Sequence, residues 1–181
     1  EQQTDALNKV VHSGKHLLNL INDVLDISKI ESGSLNLFLE PNIDVNEIIR
    51  QTAELSEALL EGKPVDLQKD IAVDLPSITA DRQRLRQVLT NLLSNACKFT
   101  EEGFIKIGAH YQDDQLQIYV QDTGPGIAAE DYDLVFEPFK QTHTGLRQGS
   151  GTGLGMPISK NLTEALGGKL WFKSEIGKGS T

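Results

Sequence analysis

The sequence predicts an α+β fold, a mixed sheet covered by helices on one face and preceded by a long bundle helix. Three observations carry this. The N-terminal stretch repeats apolar residues at alternating spacings of four and three, a helical seam with no strand signal. Beyond Gly33, short alternating runs are interleaved with longer amphipathic segments. Two of those runs, 104–111 and 115–121, are separated only by Gln112-Asp113-Asp114, which makes them an antiparallel hairpin.

Taken in order, residues 4–32 form the long helix. Val10, Gly14, Leu17, Ile21, Val24 and Ser28 are its heptad seam, and Val11, Leu18 and Leu25 widen it, so the helix needs a partner helix from the same or another chain. Gly33 caps its C-terminus. His12 and His16 stand at i, i+4, but no Cys, Asp or third His is placed to complete a metal site, so they read as surface or seam histidines. Leu35, Leu37 and Leu39 alternate with Asn36, Phe38 and Glu40 as a short strand closed by Pro41. Asp44-x-x-Glu47 opens a helix over 45–60 with a capping box. Residues 65–75 read as a largely polar strand, and Pro76 begins a link to the next helix. That helix, 81–100, is capped by Asp81 and buries Leu85, Val88, Leu89, Leu92, Leu93 and Ala96. After the hairpin, 129–133 is a short helical piece. Residues 141–152, with Gly145, Gly149 and Gly151 and no apolar period, predict a mobile loop. Residues 154–166 form a helix that tolerates Pro157 in its first turn and stops at Gly167-Gly168, and 169–175 form a last strand.

The composition sets limits on function. With 181 residues the chain holds one ordinary domain plus an appendage, and a net charge of -9 argues against a generic nucleic-acid or anionic-membrane surface. Cys97 is the single cysteine, so no intramolecular disulfide forms, and its place in the helix next to the apolar face makes it a small buried residue. No secretory signal and no apolar run approaching the ~18 residues of a membrane span occurs.

Chemistry concentrates at three places. Asn91, Asn95 and Lys98 follow i, i+4, i+7 on the 81–100 helix and form a polar stripe beside its apolar face. Carboxamide oxygens suit a hard cation such as Mg²⁺, and a lysine ammonium suits phosphate oxygens. Asp122-x-Gly124-x-Gly126 follows a strand; its glycines allow close backbone approach, and its carboxylate can accept a bond from an exocyclic amine such as adenine N6. Gly151-Thr152-Gly153-Leu154-Gly155 leads into a helix, where exposed N–H groups and the positive helix end suit a phosphate. The dinucleotide fingerprint and the Walker pattern do not fit.

In this order the motifs resemble those of sensor histidine kinases. RQVLTNLLSNACKFT is similar to their N box, DTGPGI to the G1 box, FEPF to the F box and GTGLG to the G2 box; HLLNLINDVLDISKIESG is similar to the second helix of their dimerisation and phosphotransfer hairpin. The resemblance covers essentially the whole chain. It implies the two-layer α/β sandwich called the Bergerat or GHKL fold, with residues 1–33 as part of the hairpin and 34–181 as the ATP-binding catalytic domain. By similarity Asn95 is the Mg²⁺ ligand, Asn91 and Lys98 act at the phosphates, Asp122 holds adenine N6, and Gly124 and Gly126 shape the adenine pocket. Gly151, Gly153 and Gly155 line the phosphates, and Thr152 and Leu154 count with them as ATP-binding residues. Residues 141–152 become the ATP lid, anchored by Phe136 and Phe139 packing on the domain; for Lys140 two readings stay open, reaching the phosphates or a solvated lid charge, and His143 has the same status and is left out of the site. The implied activity is protein-histidine kinase, with ATP and Mg²⁺ as cofactors. A response-regulator receiver domain is the implied phosphorelay partner of a cytoplasmic homodimer whose parent protein is open to membrane attachment, with no nucleic acid.

One departure stands out. The family's acceptor motif, a histidine followed by Glu or Asp and then a nearby proline, is missing: His12 precedes Ser13-Gly14-Lys15 and His16 precedes Leu17-Leu18. The hairpin's first helix is therefore expected before Glu1, and a further strand after Thr181, with the fragment alone lacking autophosphorylation. Two alternatives stay open at this level: a gyrase, heat-shock-chaperone or mismatch-repair type ATPase of the same fold, and a non-enzymatic signalling module.

Overall fold

The computed structural model describes residues 2–143, 145 and 151–181; the side chains of residues 2–6, 8, 9, 12, 15 and 16 lie outside the described set, and with them the reading of His12 and His16. The chain divides into two compact units, Glu1–Asn36 and Leu37–Thr181.

The first unit is the helix α1 (Gln2–Glu31). It ends as Gly33 permits: at φ 65° the chain turns left-handed, the Gly33 N–H donates to Ile30 O and the Ser34 N–H to Lys29 O. This pair of bonds satisfies carbonyls the helix end would leave open. Val10, Val11, Leu17, Leu18, Ile21, Val24 and Leu25 are 47% to 71% exposed, so α1 carries its apolar stripe on the surface. Among the described residues no helix is long and apolar enough to cross a membrane.

The second unit opens with β1 (Glu40–Ile43) and α2 (Val45–Glu57), the latter extended by a 3₁₀ turn at Ala58–Leu60. Next come β2 (Val65–Ile71), β3 (Ile78–Ala80) and α3 (Arg82–Phe99). The hairpin β4 (Gly103–Gln112) and β5 (Gln115–Asp122) leads to 3₁₀ turns at Ala129–Asp131 and Asp133–Phe136. The described order closes with α4 (Gly155–Ala165), β6 (Ser174–Glu175) and β7 (Gly179–Ser180). The sheet order is β2-β4-β5-β7-β6, with β1 and β3 as a separate pair. Strand β2 runs parallel to β4 from Val65↔Gly103 to Ile71↔Ala109, and the other pairs are antiparallel. At the β4–β5 bend Asp113 and Asp114 both take positive φ, the conformation a two-residue hairpin turn needs and that aspartate tolerates. Ile105, Ile107 and Ala109 of the sheet pack on Ile48, Ile49, Ala53, Leu89, Leu93 and Ala96 of α2 and α3, which is the helical layer on one face.

The structure departs from the sequence reading in four places. The first strand is not at Leu35–Leu39 but runs through Pro41, which the irregular β1–β3 pair accommodates, with Asn42 at φ 58° between Glu40 and Ile43. The Phe38 N–H, needed for a ladder in the expected strand, instead donates to Asp81 Oδ2 at 2.9 Å. The link after Pro76 contains β3, and the 65–75 strand ends at Ile71. The 169–175 strand shrinks to β6, preceded by Lys173 paired with Thr181 in both directions. Finally, His143 and Gly145, inside the predicted loop, have helical backbone, stabilised where the Gly145 N–H donates to Thr142 Oγ1 at 3.2 Å. The remainder of that loop at 144 and 146–150 lies outside the described residues.

Candidate functional site

Helix α3 is the frame of the site and is fixed at both ends. At its start Asp81, 4% exposed, accepts the Arg84 N–H on Oδ1 at 3.0 Å while Oδ2 holds Phe38. At its end Lys63 Nζ donates to Cys97 O at 3.0 Å and Thr100 O at 3.2 Å and pairs with Glu101, placing a cation where the helix dipole favours one. Between these points Asn91, Asn95 and Lys98 lie half-buried along one edge. Burial pushes the Lys98 ammonium below its ordinary pKa, and its Nζ sits 4.6 Å from the Phe99 ring centroid. An arriving anion would restore what that burial takes from the ammonium.

The other two motifs converge on this edge. A Cβ placed on Gly151 would stand 3.1 Å from Lys98 Nζ, so the glycine loop passes directly over the lysine. The Asn91 Nδ2 donates to Gly155 O at 3.4 Å and to Ser159 Oγ at 3.3 Å, which joins α3 to the first turns of α4. Among the described residues no side chain caps the N-terminus of α4, so the N–H groups of Gly155 and Met156 at its start suit an anion. From the β5 end, Asp122 turns back to accept the Gly124 N–H on Oδ1 at 2.8 Å, and a Cβ on Gly124 would come 3.1 Å from Phe99 O. Burial raises the Asp122 pKa, with the Gly124 and Ser180 N–H groups pulling it back. Gly126, at φ 70°, lies against the main chain of Glu175.

Two of the predicted site residues behave differently from expectation. Leu154 is fully buried, and its N–H donates to Thr152 Oγ1 at 3.1 Å, so its side chain belongs to the core. Phe136 packs as expected, its ring 5.7 Å from that of Phe172, which also meets Tyr132 edge-on at 5.0 Å. Phe139 does not: φ 63° turns its ring outward to 67% exposure, and its anchoring is through the main chain, with its N–H donating to Gly153 O at 3.1 Å.

Sequence reasoning missed Asp131 and left His143 aside. Asp131 is 2% exposed, and its two oxygens hold the His143 main-chain N–H at 2.8 Å and Nδ1 at 2.9 Å. Beside them Gln141 Nε2 donates to Gly151 O at 2.7 Å. An acid in Glu-Asp-Tyr carries no signal of burial, since only the fold brings residue 143 back over it. Among the described residues no group of three or more His, Cys, Asp or Glu could hold a metal.

The model of the Histidine kinase-, DNA gyrase B-, and HSP90-like ATPase family matches residues 80–181, the span that carries α3, the Asp122 turn and the glycine loop. The chain belongs to this ATPase family. Within it, the sensor protein GacS of Pseudomonas syringae pv. syringae is 40% identical over 186 residues, covering 99% of this chain and 20% of that protein. The sensor protein TorS of Escherichia coli K12 is 40% identical over 180 residues, covering 97% and 19%. The chain thus spans about a fifth of the length of these relatives. Among solved structures, full-length ShkA in complex with AMPPNP superposes with a TM-score of 0.85 at 35% identity, covering 99% of this chain and 37% of that one. The catalytic domain of the histidine kinase ThkA does so with a TM-score of 0.67 at 32% identity, covering 80% and 91%. The GHKL sandwich expected from the motifs is the fold observed, and membership of the ATPase family accounts for the meeting of three separated motifs at one edge of α3.

Proposed function

We propose that this chain is the ATP-binding catalytic region of a sensor histidine kinase. Residues 1–33 are the second helix of the dimerisation and phosphotransfer hairpin, and residues 34–181 are the catalytic domain. The γ-phosphoryl group passes to a histidine of an adjoining hairpin, on the same or a partner chain: the bond to the β-phosphate oxygen breaks, a P–N bond forms and ADP leaves. The phosphoryl group is then relayed to a response-regulator receiver domain. The parent protein is a cytoplasmic or membrane-attached homodimer. The observation that carries this reading is the convergence of Asp122, Lys98, Gly151 and the α4 N-terminus on one edge of α3.

The roles follow from chemistry. The Asp122 carboxylate accepts from the adenine amine, and Gly124 and Gly126 leave room for the ring. Lys98 and the N–H groups of the 151–155 loop oppose phosphate charge; preorganised donors of this kind stabilise charge without reorganising during transfer. Asn95, and with it the carboxamide chemistry of this edge, fits Mg²⁺, a cation that takes oxygen ligands and keeps part of its water shell. When bound, Mg²⁺ supplies charge neutralisation at the phosphate oxygens.

The test is binding followed by transfer. Asn95→Ala is expected to weaken Mg²⁺-ATP by more than it weakens adenosine, by calorimetric titration; equal losses would remove Asn95 from the metal role. Incubated alone with labelled ATP, the chain should form no acid-labile phosphohistidine, but it should label a separately supplied hairpin that carries the acceptor motif. Label on His12 or His16 would overturn the assignment of the acceptor.

A further inference from the structure

A carboxamide can be turned over in place, exchanging its oxygen for its NH₂ and so an acceptor for a donor. Which way Asn91 faces decides what it can offer a ligand, and α4 dictates that choice. Nδ2 stands 3.4 Å from Gly155 O, a carbonyl with no proton to give, and 3.3 Å from Ser159 Oγ. The reverse orientation would set the Asn91 oxygen against the Gly155 oxygen and leave the NH₂ without these acceptors. Gly155 and Ser159 are one turn apart on α4, and Ser159 is fully buried, so its hydroxyl is a fixed partner rather than a solvated one. The backbone beneath it is also tied, since Thr163 Oγ1 donates to Ser159 O at 2.7 Å. Among the described residues Asn91 Oδ1 has no hydrogen-bond partner.

We infer that Ser159 is a positioning residue of the nucleotide site: it holds the Asn91 carboxamide with Nδ2 on α4 and Oδ1 toward the ligand. The inference rests on the nucleotide reading above and sharpens it. Held this way, Asn91 meets the ligand as an acceptor. Its partners are then the cation and water that accompany a polyphosphate, or a donor on the ligand, and not the phosphate oxygens themselves. An outer residue that fixes a ligand-facing group in this manner commonly matters about tenfold or more for metal affinity. Here the grip is shared with Gly155 O and both bonds are long, so the effect of losing Ser159 alone is smaller.

The test uses the 181-residue chain and Ser159→Ala. In the ligand-free state, the side-chain NH₂ protons of Asn91, assigned by their loss in Asn91→Asp, are followed by hydrogen exchange in NMR. Their exchange should quicken about threefold or more in Ser159→Ala, the effect of losing one modest hydrogen bond. In titrations the same variant should weaken Mg²⁺-ATP by about three- to tenfold and adenosine by less than about twofold. In an Asn91→Ala background, Ser159→Ala should add nothing. Unchanged Asn91 exchange, equal losses for Mg²⁺-ATP and adenosine, or full additivity with Asn91→Ala would overturn the inference and reduce Ser159 to a packing residue. If the parent chain failed to bind Mg²⁺-ATP, the nucleotide reading would fall, while the exchange measurement would still decide how Asn91 is held.

Discussion

Alanine at Gly126 would strike the Asp122 turn through the main chain alone, with no ligand-facing side chain removed. The added Cβ would lie 2.1 Å from Glu175 O and 2.7 Å from its carbonyl carbon, about 1 Å or more inside normal contact. It would also occupy φ 70°, which costs an L-residue about 1–2 kcal/mol. Because the obstruction is backbone, relief requires the β6–β7 hairpin to move. Movement endangers the bond from the Gly177 N–H to Pro125 O and the bond from the Lys178 N–H to Glu175 O, each contributing about 1 kcal/mol. The sum is about 3–4 kcal/mol, or on the order of 10 °C in Tm for a domain of this size. Gly177→Ala is the matched control: φ 78° with nothing within 4 Å of the added atom, so only the conformational cost of about 1–2 kcal/mol remains. Thermal and urea unfolding would measure both, and adenosine titration would report whether the pocket survives in Gly126→Ala. Equal destabilisation by the two substitutions, or undiminished adenosine binding in Gly126→Ala, would refute the packing of this turn on the hairpin.

Two further outcomes follow from the buried acids. Asp131→Ala strands the His143 main-chain N–H and should cost about 2–3 kcal/mol, whereas His143→Ala keeps that bond and loses only an exposed ring contact of about 0.2–1 kcal/mol. Urea midpoints of the two variants decide it, and a reversed ranking would make the ring the true anchor. For Asp122, burial raises the folded carboxyl above its ordinary value of 3.8. Between 3.8 and the raised value the folded state therefore holds a proton that the unfolded state has released. Its contribution to stability is most favourable below 3.8 and is lost as pH rises through the folded pKa. Asp122→Asn should flatten this part of the stability profile while abolishing the acceptor for an exocyclic amine; an unchanged profile would show that the carboxyl is not desolvated.

The sequence made α3 readable because its signals are local and mutually consistent. Asp81 caps where predicted, Val88, Leu89, Leu93 and Ala96 are buried, and the polar stripe stands on the neighbouring edge. The β4–β5 hairpin was equally legible, since register and turn lie within a single short stretch. What escaped was decided by partners distant in sequence. Leu35–Leu39 alternates like a strand, but Asp81 takes the Phe38 N–H. Ile78–Ala80 is too short to register until β1 lies beside it. At the site, residue types and their assembly were apparent from the motifs, but orientation was not. The outward ring of Phe139, the core position of Leu154 and the grip of Ser159 on Asn91 depend on backbone angles and neighbours that no spacing encodes.

The parallel pairing of β2 with β4 has a thermodynamic consequence for the site. Helix α3 lies within the connection between these strands, and Lys63, immediately before β2, is bonded to carbonyls at the far end of that helix. Strand β2 is one of the two edges of the sheet, so its outward amides lack a neighbouring strand. Whatever steadies α3 from the nucleotide side must, by reciprocity, steady the parallel register from the other. Under the nucleotide reading proposed above, occupancy of the site should therefore raise the exchange protection of β2, one of the two edge strands of the sheet.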